Sequence, residues 1–293
     1  MNKVFCPIWS WRLVLLAVLT ALLTVRLAAL ELHEARSSPY DLAVTGRLTG
    51  VPQGETRYIK WADLRALPTT TLTLTGEFVP GEQEVTALYL SDLWAALPRV
   101  AGSDTLFATC GDGYTSIYRL DFIATYRPFL VLEINGAGPE KWPPPGLKFN
   151  PAPYVISISN KLVPAVAALL DAGHKRPWAV STIEVANFAE RELDAYTGKW
   201  AQLSSAAQAG RDIWINSCAS CHRGPGAMFG GTKSDRPFQV LAAHAGFNRE
   251  YFKKYVRNPQ AMMAGAKMEA HPHYTDEQLN DLIAFITADH RGG

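Results

Sequence analysis

The residues with the clearest chemistry in this chain are five in a row, Cys218-Ala219-Ser220-Cys221-His222. Two thiols three positions apart lie on nearly the same face of one helical turn, where each can add to one vinyl group of a porphyrin. The histidine that follows then offers its imidazole to the iron. The spacing therefore predicts one covalent c-type haem on Cys218 and Cys221, with His222 as an axial ligand.

Two other kinds of site share the C-x-x-C spacing. A structural zinc site needs four ligands, usually from two such pairs, and the sequence contains no second pair. A thioredoxin-like redox pair begins a helix that follows a buried strand, and the residues before Cys218 do not have the pattern of a strand. The motif therefore indicates haem rather than zinc or a redox dithiol.

The composition is typical of two packed domains without affinity for nucleic acid. The chain has 293 residues, and length alone favours about two domains of roughly 100–200 residues each. Its 28 Lys and Arg nearly balance its 27 Asp and Glu, whereas nucleic-acid binding relies on concentrated basic surface. With two cysteines assigned to haem, only Cys6 and Cys110 remain, which excludes a disulfide framework.

Residues 1–35 are predicted to be a signal sequence or a membrane anchor. Lys3 and Arg12 precede a charge-free run over 13–25, and Arg26 follows it. The run has the length of the apolar core of a secretion signal and is short for a span of about 20 residues. No A-x-A-like cleavage site follows, which favours an uncleaved membrane anchor over a cleaved signal sequence. The body of the protein is then expected on the periplasmic side of a bacterial inner membrane, or free in the periplasm after cleavage.

The rest of the chain is predicted to divide into a β-rich domain at 40–190, a linker at 191–205 and a helical domain at 206–293. Polar and apolar residues alternate over 69–78, with many β-branched side chains, as in a half-buried strand. Further strands are predicted at 114–120, 129–134, 155–159 and 181–185. The expected fold class is therefore multidomain α+β, with an N-terminal hydrophobic helix, a mainly β domain and an all-α domain.

Residues 204–293 resemble a small class I c-type cytochrome domain beyond the haem motif itself. That family has a glycine and, four residues later, an aromatic residue on the helix before the motif, and Gly210 and Trp214 stand in these places. The run 282–286 resembles the last helix of the family, whose aromatic residue, here Phe285, packs across the first helix. The resemblance implies that Gly210 allows a close helix crossing beside the haem.

The sequence offers several candidates for the sixth iron ligand: Met228, Met262, Met263, Met268, His244, His271 and His273. The segment 258–268 resembles the loop of the cytochrome family that ends in a Lys-Met pair, which implies Met268 as the ligand. The family usually has proline after this methionine, whereas this chain has Glu269. Met262 or Met263 is the alternative, followed by histidine ligation through His271 or His273. Ligation by His and Met raises the reduction potential and favours electron transfer.

The middle region resembles a short form of the molybdopterin-binding domain of the sulfite oxidase family. The resemblance rests on the order of several short strings: Trp61-Ala62-Asp63-Leu64, Leu67-Pro68, Tyr89-Leu90-Ser91-Asp92-Leu93, Asp112-Gly113-Tyr114, 131–136 and 175–185. In enzymes of that family a cysteine thiolate ligates molybdenum, which implies Cys110 as the corresponding ligand. The cluster His174-Lys175-Arg176 offers cations for a cofactor phosphate. Because the region is short and poor in histidine, we expect a relative without the cofactor that serves as a docking or scaffold module.

Three functional hypotheses follow. The first is an exported, membrane-anchored monohaem cytochrome that transfers electrons between redox partner proteins. The second is a molybdenum oxidoreductase of the sulfite dehydrogenase type that passes electrons to its own haem. The third is a haem-bearing subunit of a respiratory complex. The sequence favours the first and third, because their motifs agree with one another, and it names neither the donor nor the acceptor of electrons.

Overall fold

The computed structural model describes residues 30–75, 81–147, 149–159, 161–164, 175–191, 201–225, 231 and 233–288. The hydrophobic run at 13–25, which carries the prediction of an anchor or signal, lies outside these residues, as does most of the predicted linker. Within the described part of the chain, no helix combines the length and apolar character that a bilayer span requires.

Two β-sheets form the region between residues 42 and 186. The first has five strands in the order β2-β1-β9-β5-β6, with bounds β1 Leu42–Gly46, β2 Arg57–Ile59, β5 Thr105–Cys110, β6 Thr115–Arg119 and β9 Val180–Ala186. The second has four strands in the order β3-β4-β7-β8, with bounds β3 Thr70–Thr75, β4 Glu82–Tyr89, β7 Phe129–Ile134 and β8 Val155–Ser157. Strands β1 and β9 are parallel, and the other pairs are antiparallel.

Short helices connect these strands, and longer ones form the C-terminal region. The first group consists of α1 Trp61–Arg65, α2 Leu90–Ala96, α3 Leu120–Tyr126 and α4 Phe188–Arg191. The second consists of α5 Ser205–Ile213, α6 Phe238–Phe247, α7 Arg249–Arg257, α8 Pro259–Met262 and α9 Asp276–Thr287. The structure is therefore mixed α and β, with a β-rich region before residue 187 and a helical C-terminal region, in agreement with the coarse prediction.

Strands with a clear local signal form where the sequence predicts them. Alternating Thr and Leu residues produce β3, and the run Phe129–Ile134 forms β7 with the predicted bounds. The chain reverses after β7 at Asn135 and Gly136, whose φ angles of 51° and 72° are those of a tight turn favoured by Asn-Gly. The sequence does not predict strands β1, β2, β4 and β5, which are defined by their pairing in the sheets; β5, for example, pairs on one side with β9 and on the other with β6.

The two faces of the five-stranded sheet contact different parts of the protein. Because successive side chains of a strand point to opposite faces, Leu106, Ala108 and Cys110 of β5 lie in the core between the two sheets. Phe107, on the other face, belongs to a cluster with the C-terminal helices, which also includes Ile117. The helical region therefore covers the outer face of this sheet.

Candidate haem-binding site

The Cys218–His222 motif lies in a tight turn at the end of the first C-terminal helix. Helix α5 begins behind the cap Ser204, whose hydroxyl accepts a hydrogen bond from Ala207 N. It continues into a wider π-helical turn over Trp214–Cys218. The carbonyl of Cys218 then accepts hydrogen bonds from Cys221 N at 3.0 Å and His222 N at 2.8 Å. These bonds fold the two thiols and the imidazole into one compact turn, as the spacing of the motif requires.

The loop after the motif packs directly on this turn. Gly231 N donates to the carbonyl of His222 at 3.2 Å, and Ser234 N donates to the carbonyl of Cys221 at 3.0 Å. A Cβ atom on Gly231 would lie 2.2 Å from the carbonyl oxygen of Ser220, far inside van der Waals contact. Glycine at this position therefore allows the loop to brace the backbone of the motif.

A close helix crossing supports the motif from the other side. A Cβ atom on Gly210 would lie 1.9 Å from the carbonyl oxygen of Asp281, so α5 and α9 cross with their backbones in contact. The Trp214 ring packs at centroid distances of 6.1 Å on Phe285 and 5.2 Å on Phe238. The close approach of Gly210 to α9 and the aromatic contact across the helices agree with the arrangement that the cytochrome resemblance implies.

The imidazole of His222 is placed as a neutral ligand. Burial and the nearby Arg236 lower the pKa of His222 below its usual value, and a neutral ring is the form that binds a metal. Its Nδ1 atom and the Nε1 atom of Trp214 are buried without a hydrogen-bond partner among the residues that the structure describes. Buried polar atoms are nearly always paired in proteins, so these two atoms fit a site completed by a bound group.

The structure separates the candidates for the sixth ligand by their surroundings. Met268 is half-buried against the core of the helical region, and its carbonyl accepts a 2.8 Å hydrogen bond from Gln260 Nε2. Met262 ends α8 and is half-buried, whereas the side chain of Met263 is 45% exposed. Met228 lies outside the described residues, and His244 is exposed on α6. Burial thus favours Met268 or Met262 over Met263, and the choice of Met268 stays a prediction.

His271 lies close to the motif as well. Its backbone N–H donates to Val256 at 3.0 Å, and its ring stacks on Tyr274 at 5.7 Å. The Tyr274 hydroxyl donates to Ser217 Oγ at 2.5 Å, directly before the motif. Burial, with contributions from His273 and His222, lowers the pKa of His271 to about 4. His271 is therefore a neutral imidazole near the haem motif, and this form of the side chain is able to bind iron.

The residues present fit a covalently bound haem. They supply two sulfur atoms and one neutral imidazole in a single turn, a thioether donor in the adjoining core, and aromatic packing around them. The thiols lie in a weakly polar setting, since burial raises the pKa of Cys218 to about 12 and also raises that of Cys221. When bound, the haem would supply one-electron transfer. The chain's own residues attach it, orient it and exclude water from it.

The residues predicted to hold a molybdenum cofactor do not fit that role as the structure places them. Cys110 is 5% exposed and faces the core between the sheets. Burial, followed by repulsion from Asp112, raises the pKa of this thiol to about 12. Both neighbouring cations are buried and donate to backbone carbonyls, Lys175 to Ile117 and Arg176 to Ile158.

His174 of the predicted phosphate cluster lies outside the described residues. Within the part of the chain that the structure describes, no group of three or more His, Cys, Asp or Glu side chains is arranged to hold a metal ion.

The buried Lys175 leads to a prediction about pH. Burial lowers the pKa of Lys175 to about 7, against about 10.4 in an unfolded chain. Between these values the unfolded state holds the proton and the folded state does not, so folding stability rises with pH. We expect the difference in unfolding free energy between wild type and Lys175→Met to change by up to about 1.4 kcal/mol per pH unit from pH 7 to 10. Urea unfolding across this range measures the difference, and parallel curves for the two proteins would contradict the expectation.

The geometry defines the helical region as a c-type cytochrome domain, and the comparisons with known proteins agree. Residues 205–286 match the family model described as cytochrome c oxidase, cbb3-type, subunit III. The chain is also similar to cytochrome c oxidase subunit 2 of Alkalihalophilus pseudofirmus, with 31% identity over 87 residues. That match covers 27% of this chain and 25% of the relative, so the chain spans about a quarter of the length of this relative.

A solved structure, the sulfane dehydrogenase SoxCD from Paracoccus pantotrophus, is similar over a larger part of the chain. The similarity covers 54% of this chain and 42% of that one, at 14% identity and a TM-score of 0.35. A similarity of this size carries no argument about the chemistry of the β-rich region.

Proposed function

We propose that the protein is an exported monohaem c-type cytochrome that transfers electrons between redox partner proteins. The observation that carries the proposal is the compact turn at Cys218, Cys221 and His222, braced by Gly231 and by the crossing of α5 and α9 at Gly210. His222 and Met268 would both hold the iron of a haem attached there, and the group would supply one-electron transfer without a substrate at the iron.

The similarity to oxidase subunits supports redox partner proteins as the donor and acceptor. We propose that the run at 13–25 tethers the protein to the periplasmic side of the inner membrane, where it meets these partners. A tether restricts the haem to the membrane surface, which suits either a permanent subunit of a respiratory complex or a carrier that visits one.

The β-rich region is proposed to be a scaffold for the cytochrome domain rather than a second catalytic centre. The burial of Cys110 and the engagement of Lys175 and Arg176 with backbone carbonyls support this role over a molybdenum oxidoreductase of the sulfite dehydrogenase type. Metal analysis of the purified protein separates the two: we expect one iron per chain, whereas stoichiometric molybdenum together with reduction of the haem by sulfite would favour the enzyme.

A spectroelectrochemical titration of the haem-loaded protein tests the proposed function. We expect one reversible couple that fits a one-electron step, in which a tenfold change in the ratio of oxidised to reduced haem takes about 59 mV. Loss of reversibility, or rapid binding of carbon monoxide to the reduced iron, would show an open coordination position and contradict a dedicated electron carrier.

A further inference from the structure

We infer that the hairpin between β5 and β6 is a built-in docking element that covers the Cys221 side of the haem motif. The contact is made by the Asp112–Lys233 ion pair and by the side chain of Tyr114. The inference rests on the proposed function, since it concerns access to the haem that the motif attaches. It assigns the β-rich region a specific task, which is to close one side of the haem and leave partner proteins the remaining surface.

An apolar contact between the two regions forms the base of this docking. Phe107, Ile117 and Phe188 of the β-rich region share one buried cluster with Trp214 and other residues of the helical region. Phe107 and Phe188 stack at a centroid distance of 6.5 Å. Such burial is non-directional and holds the two regions together, but it does not by itself determine which loop faces the motif.

The ion pair between Asp112 and Lys233 determines which loop of the β-rich region faces the haem motif. Asp112 lies at the tip of the hairpin and pairs with Lys233. Lys233 lies between Gly231 and Ser234, whose N–H groups bind the carbonyls of His222 and Cys221. The ion pair therefore links the hairpin to a loop that is itself bonded to the motif. Hydrogen bonding to Lys233 is the main reason that the pKa of Asp112 is lowered.

Tyr114, two residues after Asp112, is the second residue of the proposed contact. The hairpin fixes its backbone, because Tyr114 N donates to Asp112 Oδ1 at 3.0 Å and Cys110 N donates to the Tyr114 carbonyl at 2.8 Å. The side chain is half-buried. The ring packs against the core between the two sheets. Burial raises the pKa of Tyr114, with smaller influences from Ser116 and then from Cys221 and Ser220 of the motif. The hydroxyl end of the side chain therefore reaches the haem-attachment turn.

The ion pair of Asp112 and Lys233 therefore joins the β-rich region to the loop whose Ser234 N–H donates to the carbonyl of Cys221. A small oxidant in solution then reaches the haem only from the side that the hairpin leaves uncovered. If the contact between the hairpin and the motif is weakened, the oxidant is expected to reach the haem from this side as well, and the reduced haem is expected to be oxidised faster.

A zero-length cross-link tests the contact in the haem-loaded protein. A carbodiimide couples a carboxylate to an amine that is in direct contact with it, and both side chains are accessible, at 59% for Asp112 and 40% for Lys233. We expect mass spectrometry to find the Asp112–Lys233 amide in wild type and not in Asp112→Asn or Lys233→Gln. Activation of the Glu250 carboxylate, which is 73% exposed, serves as the internal control for the reagent. Absence of the Asp112–Lys233 amide where Glu250 is modified would overturn the inference.

Charge reversal tests the covering role. The rate at which ferricyanide oxidises the reduced haem is measured for Asp112→Lys, Lys233→Asp and the double exchange. Local charge alone would change the two single variants in opposite directions, since one surface becomes more positive and the other more negative. Docking predicts that both single variants react faster, by at most about fivefold, because the surface pair contributes about 1 kcal/mol and the uncovered side already carries part of the reaction. The double exchange is expected to restore the wild-type rate.

The outcomes separate this inference from the proposed function. If every variant carries covalent haem and opposite single reversals shift the rate in opposite directions, the covering role is overturned while the electron carrier stands. If wild type itself acquires no haem, the proposed function fails first. Tyr114→Ala provides an independent variant without a charge change, and an unchanged rate in this variant would also contradict a cover at this side of the motif.

Discussion

Replacing Gly210 with alanine is expected to destabilise the cytochrome domain by about 3 kcal/mol or more, because overpacking against a rigid neighbour forces the backbone to move. The added Cβ would lie 1.9 Å from the carbonyl oxygen of Asp281 and 2.4 Å from its carbonyl carbon. These are backbone atoms of α9 and cannot rotate away as a flexible side chain does. Helices α5 and α9 must therefore separate, and the contact between Trp214 and Phe285 weakens with them.

Gly246→Ala is the matched control for this prediction. It adds the same methyl group to a helix of the same domain, where the nearest atom would be Thr287 Cγ2 at an ordinary 3.6 Å. Gly246 is the second-to-last residue of α6, so this change recovers at most the entropic cost of a glycine within a helix, roughly 0.5–1 kcal/mol. Chemical denaturation of the haem-loaded variants compares the two, and equal stabilities would show that α5 and α9 do not cross in contact at Gly210.

Replacing Met268 with alanine is expected to remove the thioether from the iron, and with it the weak Fe(III) absorption band at about 695 nm that thioether ligation produces. The reduction potential should fall by more than about 100 mV, or nearly two factors of ten at 59 mV each, because a thioether favours Fe(II). Optical spectra of the oxidised protein and a potentiometric titration measure the two effects. The covalent attachment at Cys218 and Cys221 should be retained.

Met263→Ala is the control for this substitution, since its side chain is 45% exposed and is not expected to change the spectrum. If the band persists in Met268→Ala and disappears in Met262→Ala or Met263→Ala, the ligand is one of those residues. If Met268→Ala converts to the spectrum of two histidine ligands, the double variant with His271→Ala determines whether the neutral imidazole of His271 has taken the position.

The features that depend on local sequence could be predicted. The haem motif and the strand at 129–134 each have a signal within a few residues, because a turn or a buried run imposes its own spacing. The role of Gly210 is implied by the resemblance to the cytochrome family. The last helix begins at Asp276, directly after its cap Thr275, whose hydroxyl forms a capping box with the Gln278 side chain.

Features that depend on distant contacts could not be predicted in this way. Asp112 and Lys233 are 121 positions apart, and no pattern in the sequence links them. The position of Cys110 beside a glycine-rich turn resembled a ligand position, but which face of β5 it occupies depends on the register with β6 and β9. Strand alternation places it in the core between the sheets, and only the assembled sheets reveal that the opposite face packs on the helices.

The central claim is that the chain carries one iron porphyrin in covalent linkage, and the intact mass of the mature protein tests it most directly. The protein is produced in a host that exports it and attaches haem, and its denatured mass is compared with that of the variant Cys218→Ser/Cys221→Ser. The account predicts a wild-type mass that exceeds the polypeptide by one haem and a variant mass that does not. A wild-type protein with the mass of the bare polypeptide would contradict it.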